Sequence, residues 1–219
     1  MEGPGVPGPL LIACALGIER LALNGGPGRP GRTLKDAPGP VTVLRTGMGP
    51  QAARRALARA LRDESVPGGT AVLATGFCAG LAPGMRPGDL VVADETRDAG
   101  GEHTPCTGTG LLAAVLKPYG TVHTGPLVGS DHVVRGPERA VLHATGAVAT
   151  DMESAATLRT AATGAKRRPV AAVRVVVDAP GHELIRMGTL RGGISAFRVL
   201  RGVLPAFLEW HRSLLLPWR

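Results

Sequence analysis

The sequence predicts an α/β fold, with one three-layer α/β/α domain over residues 1–219 built around a mainly parallel, mixed central sheet. Apolar segments of strand length alternate along the chain with segments of helical periodicity. This order is typical of a parallel sheet covered on both faces. Several of the apolar segments are followed directly by glycine or an acidic residue. Parallel strands bring their carboxyl ends to one edge of a sheet, which is where α/β proteins bind ligands.

The composition is that of a globular protein. The 219 residues are 44% hydrophobic and 19% charged, so the chain can bury a core of ordinary size. The net charge of +8 comes almost entirely from arginines. They are dispersed, and no aromatic residues are interleaved with them to stack on bases. We therefore favour a compositional bias over a nucleic-acid-binding surface, which stays open as an alternative.

Cysteine spacing and hydropathy indicate where in the cell the protein is located and whether it binds a metal. The three cysteines have no metal-binding spacing, which predicts free thiols. No apolar run reaches the roughly 18 residues that span a membrane. The run at residues 10–16 lacks the basic leader of a signal peptide. We expect a cytoplasmic protein without a metal or another cofactor.

The first third of the chain contains two predicted strands and a helix. Residues 9–15 form an apolar run typical of a buried parallel strand, and Glu19 falls just past its carboxyl end. Residues 40–46 are a second strand, after which Pro50 suits the first turn of a helix. That helix covers residues 51–63, because alanine and leucine recur on one face and arginine on the other.

The central stretch, residues 73–94, organises the prediction. It begins with the end of a strand at residues 72–74 and opens into a turn of small residues at 75–80. Glycines at the carboxyl end of a strand let the backbone approach a ligand closely. A further strand follows at 90–93, and the polar residues 95–110 predict an irregular loop over the site.

The remaining elements are two short helices, three strands and a long amphipathic helix. Pro205 would kink or restart the last of these. The predicted ranges are a helix at 111–117, strands at 121–128 and 147–150, a helix from 151 to 163, a strand at 170–177 and a helix at 194–210.

Acidic residues at the strand ends are the first candidates for chemistry. If the sheet is parallel, Glu19, Gly47, Gly76, residues 130–131 and Asp178 lie along one edge. Each acid taken alone also has a purely structural explanation. Glu19 would then be a solvated surface acid and Asp178 a turn former. Glu153 would be an acid favoured by the helix dipole in a first turn.

Six short motifs occur in order along the chain. They are ALGIE at 15–19, TGMG at 46–49, TGFCAGLAPGMRPGDLVVAD at 75–94, GSD at 129–131, TDMESAA at 150–156 and RVVVD at 174–178. In these motifs the sequence resembles the purine and uridine phosphorylase superfamily. The resemblance is greatest to its nucleosidase branch, typified by 5′-methylthioadenosine/S-adenosylhomocysteine nucleosidase, and extends from residue 10 to residue 207.

The resemblance implies a role for each of three carboxylates. Glu19 would activate the attacking water, Glu153 would accept both ribose hydroxyls, and Asp178 would protonate the leaving purine. Breaking an N-ribosidic bond develops positive charge on the sugar and negative charge on the base. An acid aimed at the base and a carboxylate that steers water therefore lower the barrier. To hold a proton near neutrality, Asp178 would need a raised pKa, which a buried strand end favours.

The resemblance also implies residues that contact the substrate. Some would lie beside the sugar or the base, and Arg174, in mid-strand, would meet either a buried partner or the substrate. His132 would be a base contact or an ordinary loop histidine. The predicted substrate-binding residues are Glu153, Met152, Phe77, Cys78, Gly76, Arg174 and His132.

The sequence departs from the family in three places. Phosphorylases of the superfamily commonly carry an arginine just before the glycine turn to hold phosphate, and residues 73–76 have none. Water is therefore the favoured nucleophile, unless Arg45 or another distant arginine substitutes. The serine that usually precedes the catalytic aspartate is Val177, and the aromatic residue that stacks on adenine is replaced near His132 and Val133.

These departures leave the 5′ substituent of the nucleoside open. The amino-acid sequence of the central stretch is similar to that of hopanoid-associated phosphorylase-like proteins, which release adenine from adenosylhopane. A basic surface and the apolar residues 214–218 would suit peripheral contact with a membrane, or the tail would be a dimer or core contact. Methylthioadenosine and futalosine hydrolysis, phosphorolysis and a non-catalytic nucleoside-binding role are the alternatives. The family also implies a homo-oligomer.

Overall fold

The computed structural model describes residues 8–24, 37–64, 68–164, 168–181 and 189–214, which form one mixed α/β domain. Within these ranges the central sheet has eight strands. They are β1 (Leu10–Cys14), β2 (Val41–Arg45), β3 (Ala71–Gly80), β4 (Leu90–Arg97), β5 (His103–Pro105), β6 (Val122–Gly129), β7 (Ala149–Asp151) and β8 (Val170–Asp178).

Seven α-helices flank the sheet within the same ranges. They are α1 (Gly17–Asn24), α2 (Pro50–Ala60), α3 (Thr109–Leu116), α4 (Pro137–Ala144), α5 (Ser154–Gly164), α6 (Thr189–Gly202) and α7 (Leu204–Ser213). Pro205 lies in the first turn of α7, so the long predicted helix restarts rather than continuing through the proline. Among the described residues, no helix has the length and apolarity needed to cross a membrane.

The sheet is mixed and mainly parallel, as the sequence predicts. Strand β1 pairs in parallel with β2 and β3, and β3 pairs in parallel with β8. Strand β8 then pairs antiparallel with β4. Because β4 continues through β6 and β7 back to β3, five strands close into a ring. Strands β1 and β2 extend from β3, and β5 extends from β4. The sequence did not predict this closure.

The period of two along β1 divides the core between the two faces of the sheet. Leu10 and Ile12 belong to one buried cluster, which also contains Phe207 and Trp210 from α7. Leu11 belongs to the other cluster, with Leu57 of α2 and further residues from α5. Both faces of β1 are therefore covered, which explains its uninterrupted apolar sequence.

The prediction was wrong in the central stretch. Residues 75–80, predicted to be a turn, continue β3 to Gly80 because β8 pairs alongside residues 72–79 and β7 meets residues 79–80. Residues 95–110, predicted to be an irregular loop over the site, instead complete β4 and form β5 and the start of α3. The pairing of residues 95–97 with 103–105 supplies the backbone partners that an isolated polar segment would lack.

Candidate active site

A cavity of about 230 Å³ opens at the carboxyl ends of the parallel strands β1, β3 and β8. It lies at the edge of the sheet where the sequence predicts a ligand site. Seven of the nine predicted site residues line it, and the two that do not are Gly76 and Arg174. The seven are Glu19, Phe77, Cys78, His132, Met152, Glu153 and Asp178.

Glu19 lies in the first turn of α1 and is only 2% exposed. Its Oε2 accepts hydrogen bonds from the backbone N–H groups of Ala15 and Leu16, each at 2.8 Å. Its Oε1 accepts a third, also at 2.8 Å, from the N–H of Phe77 on β3. Three donors to one carboxylate fix its orientation. The alternative of a solvated surface acid is therefore wrong.

Gly76 lies behind Glu19 and lets β3 approach it. Its φ angle is +132°, and a Cβ built on it would fall within 2.6 Å of Nη1 of Arg174 and closer still to Oε1 of Glu19. Only glycine accommodates both this backbone conformation and this packing. Gly76 therefore lets β3 lie against Glu19 and Arg174 but does not itself line the cavity, so its prediction as a substrate-binding residue is corrected.

Arg174 does not line the cavity, so its prediction as a substrate-binding residue is corrected. The side chain is 1% exposed, and its Nη2 lies 2.5 Å from Oδ2 of Asp151. The guanidinium also donates to Oγ of Ser154 and to the carbonyl of Thr75, each at 2.8 Å. Burial lowers the pKa of Arg174, but nearby carboxylates, Asp151 foremost, raise it overall. Arg174 thus has the buried partner that the sequence offered as the alternative.

Glu153 enters the cavity wall directly before α5. It is 7% exposed, and its Oε1 accepts a 2.7 Å hydrogen bond from the backbone N–H of Gly49. Burial raises the pKa of the Glu153 carboxyl, and the charge of Arg174 partly opposes this. A buried carboxylate with hydrogen-bonding capacity left is suited to accept hydroxyl donors from a sugar.

Asp178 ends β8 and is 6% exposed. Its Oδ2 accepts a 2.5 Å hydrogen bond from Nη2 of Arg139, which is itself 6% exposed. Among the described residues, Oδ1 of Asp178 has no partner. The sequence predicted a buried strand end for this acid, and Asp178 is buried there, but it did not predict the guanidinium that lies beside the carboxyl group. The environment of Asp178 is therefore more polar than predicted.

The other predicted residues in the cavity wall differ in their exposure to solvent and in their contacts. His132 is exposed at the rim, with Nδ1 2.7 Å from Asp131 and Nε2 2.9 Å from Glu138, and these carboxylates raise its pKa. Cys78 is buried, which raises the pKa of its thiol and leaves it a poor nucleophile. Met152 and Phe77 supply partly buried apolar wall.

No arginine or lysine lines the cavity among the described residues. Arg45, the distant arginine that the sequence offered as a phosphate ligand, is exposed at the end of β2 and is not part of the cavity wall. Within the described ranges, no three His, Cys, Asp or Glu side chains are grouped as metal ligands.

Sequence reasoning missed two functional candidates, Arg139 and Asp151. Asp151 lies within the TDMESAA motif, and its carboxylate both pairs with Arg174 and accepts the N–H of Ser154. The motif could have indicated it. Arg139 lies in α4, which the sequence analysis did not predict, and no motif contains it. Only the folded structure brings it to Asp178.

Comparisons with known proteins identify the family and the fold. Residues 24–192 match the family model described as "Phosphorylase superfamily". A search of curated proteins found no significant match. Among solved structures, the 5′-methylthioadenosine/S-adenosylhomocysteine nucleosidase of Neisseria meningitidis, in complex with methylthio-immucillin-A, has a TM-score of 0.70 and 18% identity. The alignment covers 94% of this chain and 99% of that one.

Two further solved structures are similar over nearly their whole length. The nucleosidase from Colwellia psychrerythraea, in complex with adenine, has a TM-score of 0.71 and 17% identity, covering 95% of this chain and 96% of that one. The S-adenosylhomocysteine nucleosidase from Streptococcus pyogenes has a TM-score of 0.69 and 18% identity, covering 99% and 100%. At this identity the structures share the fold. The family model covers most of the sequence, and the chain therefore belongs to the phosphorylase superfamily.

Proposed function

We propose that the protein cleaves the N-glycosidic bond of an adenine nucleoside derivative by hydrolysis and releases the free base. The observation that carries the proposal is that three buried carboxylates, Glu19, Glu153 and Asp178, line one cavity. Nucleosidases whose solved structures hold nucleoside analogues share this fold. The nucleosidase branch of the superfamily is accordingly the one to which we assign the chain.

The three acids would divide the reaction between them. Glu153 accepts hydrogen bonds from the ribose hydroxyls and fixes the sugar. Glu19, held by three backbone N–H groups, takes a proton from water as its oxygen attacks the anomeric carbon. Asp178 gives its proton to the base as the C–N bond breaks and the base takes the bonding electron pair. Phe77 and Met152 pack against the base and sugar, and His132 lies at the entrance.

Water is the proposed nucleophile rather than phosphate. A phosphate dianion in a largely apolar cavity needs cationic or backbone N–H donors, and no arginine or lysine among the described residues lines this one. Glu19 would in addition repel an anion from the position of attack. Phosphorolysis remains the outcome that the experiment below is designed to detect.

Adenosylhopane is the proposed candidate for the nucleoside, which would place the reaction in hopanoid biosynthesis. Support comes from the cavity mouth, where the apolar side chains of Leu16, Met48 and Val133 are 37%, 67% and 55% exposed. An apolar 5′ substituent would cover these side chains and remove them from water. A methylthio group is the smaller alternative.

We also propose that the protein is cytoplasmic, forms a homo-oligomer and contacts the membrane peripherally. Exposed apolar side chains on α1, Ile18 at 53% and Leu21 at 64%, are a surface that a second copy or a lipid headgroup region would cover. Of the apolar tail predicted at residues 214–218, residues 215–218 lie outside the described residues.

The test is adenine release from adenosylhopane, methylthioadenosine and futalosine-type substrates, each with and without phosphate. Release without phosphate that falls at least about 100-fold in Asp178→Asn supports hydrolysis. Asp63→Asn is the matched control, because Asp63 is an exposed acid in the turn after α2. Phosphate-dependent release would contradict hydrolysis. Nucleoside binding without release would make the protein a binder rather than an enzyme.

A further inference from the structure

We propose that Arg139 is a positioning residue that orients Asp178 and stabilises the carboxylate formed when Asp178 gives up its proton. The inference rests on the proposed function. Arg139 lies in the first turn of α4, and its Nη2 donates to Oδ2 of Asp178 at 2.5 Å. The two residues are 39 positions apart in sequence, so only the tertiary fold creates the pair.

Asp178 needs such a partner because its own strand offers none. The preceding residue, Val177, has no polar side chain, and among the described residues Oδ1 of Asp178 is buried without a hydrogen bond. A buried carboxyl held through one oxygen depends on that one contact for its orientation. Arg139 supplies this contact.

Arg139 is itself held close to the cavity wall. Its Nε and Nη2 lie 3.4 Å from the carbonyl of Val134, a residue that lines the cavity. Its Nη1 is buried and has no partner among the described residues. Buried polar groups in native structures usually have a hydrogen-bond partner, which is another protein group, a water molecule or a ligand. This ion pair has an unused donor and an unused acceptor, so it can change its hydrogen bonds as the base binds and leaves.

The chemistry of the leaving base gives the guanidinium a role. In the reaction, the O–H bond of protonated Asp178 breaks and the proton passes to the base, which takes the electron pair of the C–N bond. The negative charge left on Asp178 then lies beside Arg139. Stabilising this product carboxylate makes Asp178 a stronger proton donor.

The experiment compares Arg139→Gln and Arg139→Lys with the full-length wild type, measuring kcat and KM for base release between pH 5 and 9. In Arg139→Gln we expect kcat to fall roughly 10- to 100-fold and KM to change less than about threefold. The pH profile of kcat should also change, because the positive charge that lies beside the Asp178 carboxyl group is gone. Arg139→Lys should restore part of the rate and of the profile.

Controls separate positioning from a purely structural effect. Arg135→Gln removes a positive charge from an exposed residue in the loop just before α4 and should leave the profile unchanged. In Arg139→Ala, millimolar guanidinium should recover part of the rate, which lost folding would not permit. If the wild type is active but the Arg139 variants keep its pH profile and guanidinium does not rescue Arg139→Ala, the inference about Arg139 is wrong and the proposed function still stands. A wild type that releases no base from any substrate would overturn the proposed function, and the inference with it.

Discussion

The backbone N–H of Gly49 donates a 2.7 Å hydrogen bond to Oε1 of Glu153, 104 residues further along the chain. Gly49 is the N-cap of α2 and has a φ angle of +88°, so its N–H points away from the helix ladder and is available to a side chain. The contact joins the glycine motif after β2 to the acid before α5. It fixes the carboxylate at the cavity wall and leaves it other lone pairs for a sugar.

Nucleoside binding should weaken on acidification at a pH above the ordinary range for a glutamate. Burial raises the pKa of Glu153, so protonation begins at a higher pH than in an exposed glutamate. The protonated carboxyl loses acceptor capacity for the ribose hydroxyls. Calorimetric titration of a nucleoside from pH 7 to pH 4 would measure this limb.

The matched variants for that titration are Glu153→Gln and Glu102→Gln. Glu153→Gln should bind roughly 10-fold or more weakly at pH 7 and lose the acid limb, because its amide does not titrate. Glu102 is exposed, and Glu102→Gln should keep both the nucleoside affinity of the wild type and its loss of affinity at acidic pH. An unchanged acid limb in Glu153→Gln would show that another group controls binding.

Replacement of Gly76 by alanine should damage the site and the fold together. The new Cβ would fall within 2.6 Å of Nη1 of Arg174 and against Oε1 of Glu19, and the φ angle of +132° adds strain. We expect a loss of about 3 kcal/mol in the free energy of unfolding and at least a tenfold loss in kcat/KM.

Gly84→Ala is the control that separates backbone strain from steric clash. Gly84 has a φ angle of +85°, and a Cβ there would meet nothing within 4 Å. Gly84→Ala should lower the free energy of unfolding by about 1 kcal/mol and leave kcat/KM unchanged. Equal effects of the two substitutions, measured by urea unfolding, would mean that the close approach to Glu19 has no energetic weight.

A buried ion pair at the opposite end of the sheet should control acid stability. Arg168 donates from Nη1 and Nη2 to the two oxygens of Glu64, at 2.8 and 2.6 Å. This pairing lowers the pKa of Glu64 from 4.5 to about 2. A group with a lowered native pKa contributes stability above its unfolded pKa and loses it as the pH falls through the native one. The contribution of Glu64 should therefore be complete above pH 4.5 and disappear towards pH 2.

Glu64→Gln tests this relation because it removes the titration and keeps the shape. Urea unfolding should show the variant less stable than the wild type at pH 6, by about 3 kcal/mol, with the difference narrowing between pH 4.5 and pH 2. Glu209→Gln, which affects an exposed pair on α7, should change stability by less than about 1 kcal/mol at any pH. A constant difference across the pH range would contradict the assigned cause.

The sequence predicted the fold class and the edge that carries the site because both depend on local patterns. Apolar runs identified β1 and β8, and the residues after those runs, Glu19 and Asp178, lie at the cavity as expected. The prediction that β3 ends at Ala74 was wrong, because two strands distant in sequence pair with the residues that were predicted to form a turn. Small residues permit both a turn and a strand, and the neighbours decide between them.

The partners of buried charges were the least predictable part of the site. Arg174 in mid-strand was recognised as unusual, yet the sequence offered no means of choosing between Asp151 and the substrate. Arg139 gave no indication at all, because its role depends on a contact across 39 residues. Motifs identify which acids gather at an edge, whereas the cations that balance them depend on tertiary packing.

Arg174 should act on stability rather than directly on substrate affinity. It pairs with Asp151 at 2.5 Å, and both side chains are 1% exposed. Arg174→Met would leave the Asp151 carboxylate buried without its counter-charge, at a cost of about 3–5 kcal/mol in unfolding free energy. Arg159→Met breaks the pair with Asp98, in which the Arg159 side chain is 44% exposed. That control should cost less than about 1 kcal/mol.

The double variant Arg174→Met/Asp151→Asn separates the two explanations of Arg174. If the arginine mainly balances Asp151, removing both charges should recover a large part of the stability lost in Arg174→Met. Nucleoside affinity, measured on the folded fraction, should then change less than about tenfold. Stability equal to the wild type in Arg174→Met, combined with a large loss of affinity, would return Arg174 to the substrate-binding residues, because a direct ligand contributes to the complex and not to the empty protein.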